Sequence, residues 1–135
     1  MTRADTSVEI NNLIAERRSP LSFDETAIIE DHDLIGLLEA ARWAPSSNNL
    51  QPWRFIAGKR DDSNFNALLE CLVPFNQSWS KRASAIIAIG GVATKEDGSA
   101  NSSFMYDALF VIVYTSENLV VISYLNEAGL LISFI

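Results

Sequence analysis

Several functional classes require residues or motifs that this sequence has little of or lacks. Cys71 is the single cysteine, so an internal disulfide is impossible and nothing indicates an oxidising compartment. His32 is the single histidine; it lies among sequential acids without the spacing of metal ligands, and a solvated histidine is the expected state. Gly90-Gly91 lacks the further glycines of a phosphate loop. No stretch approaches the roughly 18 continuous apolar residues that a membrane helix needs.

The composition is that of one acidic domain. The chain has 135 residues, of which 48% are hydrophobic, and we predict a single domain over residues 1–135. A formal net charge of -7 argues against nucleic acid or an anionic membrane as the main partner. Residues 1–12 contain no apolar run, so we expect no signal peptide and a cytoplasmic location.

Local patterns predict two helices in the first 45 residues. Thr6-Ser7-Val8-Glu9 resembles a capping box, and the helix it opens should end near Ser19-Pro20. A second helix should begin at Asp31 or Asp33 and be limited by Pro45. Its predicted buried side consists of Leu34, Ile35, Leu37, Leu38 and Ala41. Trp43 at its end, and Trp53 and Trp79 further along the chain, are predicted to lie in the core.

The middle of the chain predicts strands alternating with a helix. Trp53 to Ala57 is typical of a short strand closed by Gly58, and Ser63 is predicted to cap a third helix. The buried side of that helix should hold Phe65, Leu68, Leu69 and Leu72, with Cys71 packed among them. Ala85 to Val92 is an apolar strand that we expect to be covered on both faces, followed by a polar loop over residues 95–103.

The segment 108–135 differs in character from the rest. It has 19 apolar residues out of 28 and contains no Lys or Arg. Residues 110–114 and 119–122 favour strands, with a turn at 116–118 between them. We interpret 108–135 as a divergent apolar tail.

Two polar blocks are the candidates for a binding site. Arg17 and Arg18 carry forked donors suited to phosphate, and Ser19 adds a hydroxyl. In the second block, from Ala40 to Phe55, a helix end leads into a loop with hydroxyls and amides at Ser46, Ser47, Asn49 and Gln51. Prolines 45 and 52 stiffen that loop. Such a lining suits a heterocycle edge or a polyol chain. The residues alone favour the alternative of solvated arginines and a loop that satisfies its own backbone.

These blocks resemble the signature of the nitroreductase family. Arg-Arg-Ser at 17–19, Ala-Ala-Arg-Trp-Ala-Pro-Ser-Ser at 40–47 and Asn-x-Gln-Pro-Trp-Arg-Phe at 49–55 occur in the family's order. Asn76-Gln77-Ser78-Trp79 is similar to its next landmark, and Tyr106-Asp107 resembles the start of its central helix. The resemblance covers roughly residues 7–107.

The resemblance implies a fold, a cofactor and a reaction. The expected fold is an α+β sandwich whose central, mostly antiparallel sheet is flanked by helices, here incomplete at the C-terminus. The expected assembly is a homodimer with FMN at the interface. Hydride passes from NADH or NADPH through the flavin to a nitroaromatic, a quinone or a similar small-molecule acceptor. No side chain needs to act as a catalytic nucleophile.

The family's cofactor-binding roles map onto nine residues of this sequence. Arg17, Arg18 and Ser19 would hold the phosphate and ribityl side of FMN. Pro45, Ser46 and Ser47 would flank the ring and the ribityl chain. Asn49 and Gln51 would meet the flavin's polar edge or the cofactor of the other subunit, and Asn76 would contact the ring.

Three departures from the family pattern leave alternatives open. Leu21 occupies a position where the family often has Lys or Arg, and no base follows Lys95. The β-branched run at 111–113 is a poor match to the central helix. A truncated or frameshifted product and a divergent short member would both explain this. A non-catalytic remnant or interaction module, and an FMN-binding protein without turnover, are therefore the alternative functions.

Overall fold

The computed structural model describes residues 4–16, 22–109, 119–125 and 129–131. Five α-helices, one short 3-10 turn and four strands are found in these ranges. The helices are α1 (Asn12–Glu16), α2 (Asp31–Arg42), α3 (Ser63–Glu70), α4 (Pro74–Ser80) and α5 (Phe104–Leu109). The 3-10 turn is Ser47–Asn49, and the strands are β1 (Trp53–Lys59), β2 (Ala85–Gly91), β3 (Leu119–Leu125) and β4 (Gly129–Leu131). None of the helices described is long and apolar enough to cross a membrane.

The strands form one sheet in the order β1-β2-β3-β4. β1 and β2 are antiparallel, with Trp53 opposite Gly91 and Lys59 opposite Ala85. β2 and β3 are parallel, and β3 and β4 are antiparallel. Two of the three pairings are thus antiparallel, which confirms the predicted α+β fold with a mostly antiparallel sheet.

Helices cover both faces of the sheet because the side chains of β2 alternate between two apolar cores. Ala85, Ile87 and Ile89 point to one face, where they pack with Ala41 of α2 and Ala108 of α5. Ile86 points to the other face, where it packs with Phe65, Leu68 and Leu72 from α3 and the residues after it. Ile86, Ile87 and Ile89 are almost completely buried, and each contributes about 1.5–3 kcal/mol by leaving water. The covered strand predicted at 85–92 is confirmed, ending one residue earlier.

Several predicted boundaries are wrong by a few residues. α1 begins at Asn12 rather than at Thr6, because the segment before it folds back and the amide of Ala4 donates to the carbonyl of Ala15 at 2.8 Å. The N-cap of α3 is Asp62 rather than Ser63: its carboxylate accepts from the amide of Phe65 at 2.6 Å. β1 continues through Gly58 to Lys59. The start of α2 at Asp31 and the strand at 119–122 are confirmed.

Three side chains predicted to be buried are exposed. Ile35 is 65% exposed, because the buried stripe of α2 consists of Leu34, Leu37, Leu38 and Ala41 and Ile35 lies beside it. Cys71 is exposed because α3 ends at Glu70 and Leu72 takes the inward position. Trp43 is 74% exposed; it follows the last turn of α2 and its indole donates to Glu39 at 3.0 Å.

Of the other two tryptophans, Trp53 lies in a core as predicted, and Trp79 packs half-buried against the other core. Trp53 is buried, and Trp79 stacks on Phe23 with ring centroids 5.7 Å apart. The predicted strand at 110–114 and turn at 116–118 lie outside the described residues. The interpretation of 108–135 as a divergent tail stays a prediction.

Candidate functional site

The polar loop at 45–51 connects α2 to β1 and has an unusual backbone. Asn48, Asn49 and Gln51 have positive φ angles of 51°, 54° and 46°. Left-handed geometry costs an L-residue roughly 1–2 kcal/mol, less for asparagine, whose short side chain bonds locally. A loop with three such residues needs contacts that stabilise it.

The loop's own hydrogen bonds supply part of that stabilisation. The hydroxyl of Ser46 accepts from the amide of Gln51 at 3.0 Å. The carbonyl of Ser46 accepts from the amide of Asn49, and that of Ser47 from the amide of Leu50, both at 3.1 Å. The possibility that this loop satisfies its own backbone, raised by its composition, is therefore realised for three amides.

A buried aspartate from α5 supplies the remaining anchor. Asp107 is 5% exposed, and its Oδ1 accepts from the amide of Ser47 at 3.1 Å. Its Oδ2 accepts from the hydroxyl of Ser103 at 3.3 Å. Sequence reasoning missed this role because Asp107 and Ser47 are sixty residues apart, and no local sequence pattern marks it.

Polar ends of the loop's side chains remain available to a ligand. Ser47, Asn49 and Gln51 are exposed. Within the ranges that the structure describes, neither the Ser47 hydroxyl nor the two side-chain amides make a hydrogen bond. Pro45 is exposed and Ser46 half-buried. The arrangement offers uncharged donors and acceptors on a fixed backbone.

Asn76 is not brought together with this loop within the single chain. It lies half-buried on α4. α4 packs with α3, and its Trp79 joins the core around Ile86, whereas the loop adjoins the core around Ile87. Asn76 and the loop 45–51 therefore lie on opposite sides of the sheet, and the role of Asn76 stays a prediction.

Arg17, Arg18 and Ser19 lie outside the described residues. The segment that follows them is anchored by Arg60, which sequence reasoning did not single out. The Arg60 guanidinium donates to the carbonyls of Ala27 at 3.2 Å, Arg82 at 2.8 Å and Ala83 at 2.9 Å, and also to that of Glu25. A planar fork with several donors suits such a cluster of carbonyls.

A groove of about 420 Å³ adjoins the loop; Leu50 of the loop and Pro52, which follows it, line the groove. Its charged wall carries two bases and two acids, Arg54, Lys95, Glu96 and Asp97. Arg54 donates to the carbonyl of Trp53 at 2.7 Å. The hydroxyl of Ser99 donates to Asp97 and lowers the pKa of that carboxyl. The mixed charges give this groove no strong preference for anions or cations.

The part of the chain that the structure describes contains no cluster of metal-ligating side chains. His32 is 82% exposed, and its Nε2 lies 3.2 Å from Asp33. The prediction of a solvated histidine is confirmed.

Comparison with known proteins identifies the family. The model of the nitroreductase family matches residues 14–128. YdgI of Bacillus subtilis (strain 168), provisionally named an NAD(P)H nitroreductase, is 38% identical over 73 residues, which is 54% of this chain and 34% of that protein. YodC of the same organism, with the same provisional name, is 34% identical over 88 residues, 64% of this chain and 42% of that protein. The chain belongs to the nitroreductase family.

Solved structures agree with this assignment. A structure described as an oxidoreductase containing FMN superposes with a TM-score of 0.75 at 28% identity, covering 84% of this chain and 61% of that chain. A provisionally assigned nitroreductase from Exiguobacterium sibiricum 255-15, in complex with FMN, is 35% identical with a TM-score of 0.52, covering 65% and 41%. The matches to the curated relatives span about a third to two fifths of their length.

Proposed function

We propose that this protein is an FMN-dependent oxidoreductase that transfers hydride from NADH or NADPH through the flavin to a nitroaromatic, quinone or similar acceptor. The observation that carries the proposal is the loop 45–51, which presents the polar ends of Ser47, Asn49 and Gln51 on an anchored backbone. Family membership and the FMN named in related structures support it.

The loop suits the uncharged part of FMN better than its phosphate. Amides of Ser47, Asn49, Leu50 and Gln51 are all engaged within the protein. The loop therefore has few backbone donors left for an anion. The exposed side-chain amides of Asn49 and Gln51 can both donate and accept, which matches the carbonyls and N–H group of an isoalloxazine edge.

The phosphate would then be held by Arg17 and Arg18, with Ser19 beside them. Their guanidinium groups can form two parallel hydrogen bonds to phosphate oxygens. When bound, FMN supplies the hydride chemistry; the chain's residues bind and orient it. This division of roles between the arginines and the loop makes separate predictions for the two parts of the cofactor.

Riboflavin, which lacks the phosphate, separates these roles experimentally. Asn49→Ala or Gln51→Ala should weaken FMN and riboflavin binding alike, by about 2- to 10-fold for each neutral hydrogen bond lost. Arg18→Ala should weaken FMN binding by roughly 10- to 100-fold and leave riboflavin binding unchanged. Asn66→Ala is the matched control, because Asn66 is an exposed amide on α3, across the sheet from the loop.

Binding is measured by quenching of flavin fluorescence, after a visible spectrum shows whether flavin stays with the protein once free FMN is removed. Oxidation of NADH and NADPH with a quinone or a nitroaromatic acceptor follows. Absence of flavin binding at saturating FMN would refute the proposal. Bound flavin without turnover would support a flavin-binding protein that is not an enzyme.

We also propose that the protein forms a homodimer in which residues of both copies contribute to each flavin site. We propose the cytoplasm as its location. The exposed apolar side chains of Ile35 and Trp43 on the α2 side support an interface there. Light scattering after size exclusion tests the assembly: a stable monomer with bound FMN would contradict a shared site.

A further inference from the structure

We infer that Asp107 is a positioning residue that fixes the binding loop 45–51 from α5 through its hydrogen bond to the Ser47 amide, and that this bond sets the geometry of Ser47, Asn49 and Gln51. The inference rests on the proposed function for its effect on FMN. Its effect on the loop itself can be measured without any ligand.

The contacts of Asp107 form a chain that links the end of β2 to the loop. The side-chain amide of Asn101 donates to the carbonyl of Val92 at 3.2 Å. The hydroxyl of Ser103 lies 3.0 Å from Oδ1 of Asn101 and 3.3 Å from Oδ2 of Asp107. Oδ1 of Asp107 then accepts from the amide of Ser47. Asn101 and Asp107 are 4% and 5% exposed, so water competes little for these bonds.

The described surroundings of Asp107 support its role as an anchor for the loop. Within residues 22–109 no Lys, Arg or His forms an ion pair with it. A buried carboxylate needs hydrogen-bond donors to offset its desolvation. Among the described residues, the amide of Ser47 and the hydroxyl of Ser103 donate to it.

The hydrogen bond between Asp107 and the Ser47 amide lies at the start of the loop segment that carries the exposed side chains. Ser47 opens the 3-10 turn, and the left-handed residues Asn48, Asn49 and Gln51 follow it. The loop's internal bonds join Ser46 and Ser47 to residues 49–51, whereas the bond to Asp107 ties this unit to α5. Without Asp107 the unit keeps its internal bonds but loses this anchor to the core.

Three substitutions test the inference. Asp107→Ala removes the acceptor. Asp107→Asn keeps an acceptor for the Ser47 amide, and its amide nitrogen can donate to the Ser103 oxygen while the Ser103 hydroxyl donates to Asn101. Asp62→Ala is the control, since the exposed Asp62 carboxylate likewise accepts from backbone amides, those of Phe65 and Lys59, at a site away from the loop. Amide hydrogen exchange is followed without ligand, and the FMN dissociation constant is measured separately.

The expected result is specific to the loop. In Asp107→Ala the amide of Ser47 should exchange at least tenfold faster, while those of Ile87 and Ile89 in β2 change little. The FMN dissociation constant should rise about tenfold, as expected when a buried donor loses its partner. Asp107→Asn should restore both values to within about threefold of wild type, and Asp62→Ala should leave both unchanged.

Unchanged exchange of Ser47 in Asp107→Ala would overturn the inference, and so would unchanged FMN affinity where the wild type binds FMN. If the wild type binds no FMN, the proposed function fails, and the exchange result alone decides whether Asp107 fixes the loop. If Asp107→Ala does not fold, Ser103→Ala replaces it. Loss of that hydroxyl should speed exchange of Ser47 about two- to threefold; no change would again overturn the inference.

Discussion

Gly58→Ala should destabilise the protein far more than a single methyl group would suggest. Gly58 lies in β1 where α3 crosses it, and an added Cβ would lie 2.1 Å from the backbone nitrogen of Phe65. It would also lie 2.6 Å from the Cα of Phe65 and 2.7 Å from the carbonyl carbon of Asn64. All three are backbone atoms, so no rotamer change can relieve the overlap.

The size of the effect follows from the distance that α3 must move. Ordinary van der Waals contact begins at 3.4 Å, so the start of α3 would have to withdraw by more than an ångström. Phe65 and Leu68 would then lose packing against Ile86. Overpacking alone costs about 1–3 kcal/mol, and loosened core contacts add to it, so we expect a loss of roughly 3 kcal/mol or more.

Gly36→Ala is the matched control with the opposite expected sign. Gly36 lies inside α2 and its added Cβ would meet nothing within 4 Å. Alanine is favoured over glycine in a helix by about 0.8–1 kcal/mol, so this variant should be slightly more stable. Urea unfolding followed by circular dichroism measures both free energies. Wild-type stability of Gly58→Ala would refute the close approach of α3 to β1.

Three further outcomes follow from single contacts. Asp62→Ala should lower the free energy of unfolding by about 0.5–2 kcal/mol, because the N-cap of α3 is lost. Ser63→Ala should change the same free energy by less than about 0.5 kcal/mol. Equal losses in urea unfolding would contradict the assignment of Asp62 as the cap. Ile87→Ala should cost about 2–5 kcal/mol as a cavity in the core, and Ile56→Ala, at an exposed position of β1, much less; similar thermal midpoints would argue against the described burial. The Lys59 ammonium donates to the Asp31 carboxylate and lowers its pKa. Stabilisation by this pair is therefore complete above the unfolded-state pKa of Asp31 and is lost as the pH falls through the lower folded-state pKa. Asp31→Asn should remove that part of the acid dependence, and an unchanged pH profile of unfolding would show that the pair contributes nothing.

The spacing of apolar residues along the sequence predicted which sides of α2 and β2 pack against the cores. Ala85, Ile86, Ile87 and Ile89 are buried as expected. The stripe of α2 packs against one core, with Ala41 buried and Leu34, Leu37 and Leu38 half-buried. Exposure was predicted less well where the decisive partner comes from elsewhere. Ile35 lies beside the stripe that faces the sheet, and Trp43 follows the end of its helix. Cap identity was also misjudged, because Asp62 and Ser63 are both good caps and the strand before them decides between them.

The sequence identified the composition of the candidate site but not the residues that hold its loop in place. Loop residues 45–51 could be recognised from hydroxyls, amides and prolines in one short stretch. Asp107 and Arg60 could not, since the groups they contact are distant in the sequence. No local sequence pattern marks such residues, because their contacts form only when the fold brings distant segments together.

The loop's hydrogen bonds also limit the kind of contact it can make with a ligand. Phosphate is commonly held by free backbone amides in glycine-rich or helix-starting loops. In this loop those of Ser47, Asn49, Leu50 and Gln51 are already engaged, and the net charge of the chain is -7. Binding of an anionic cofactor therefore needs dedicated cations, and Arg17 and Arg18 are our candidates. If loop substitutions weakened FMN but spared riboflavin, this separation of roles between loop and arginines would be wrong.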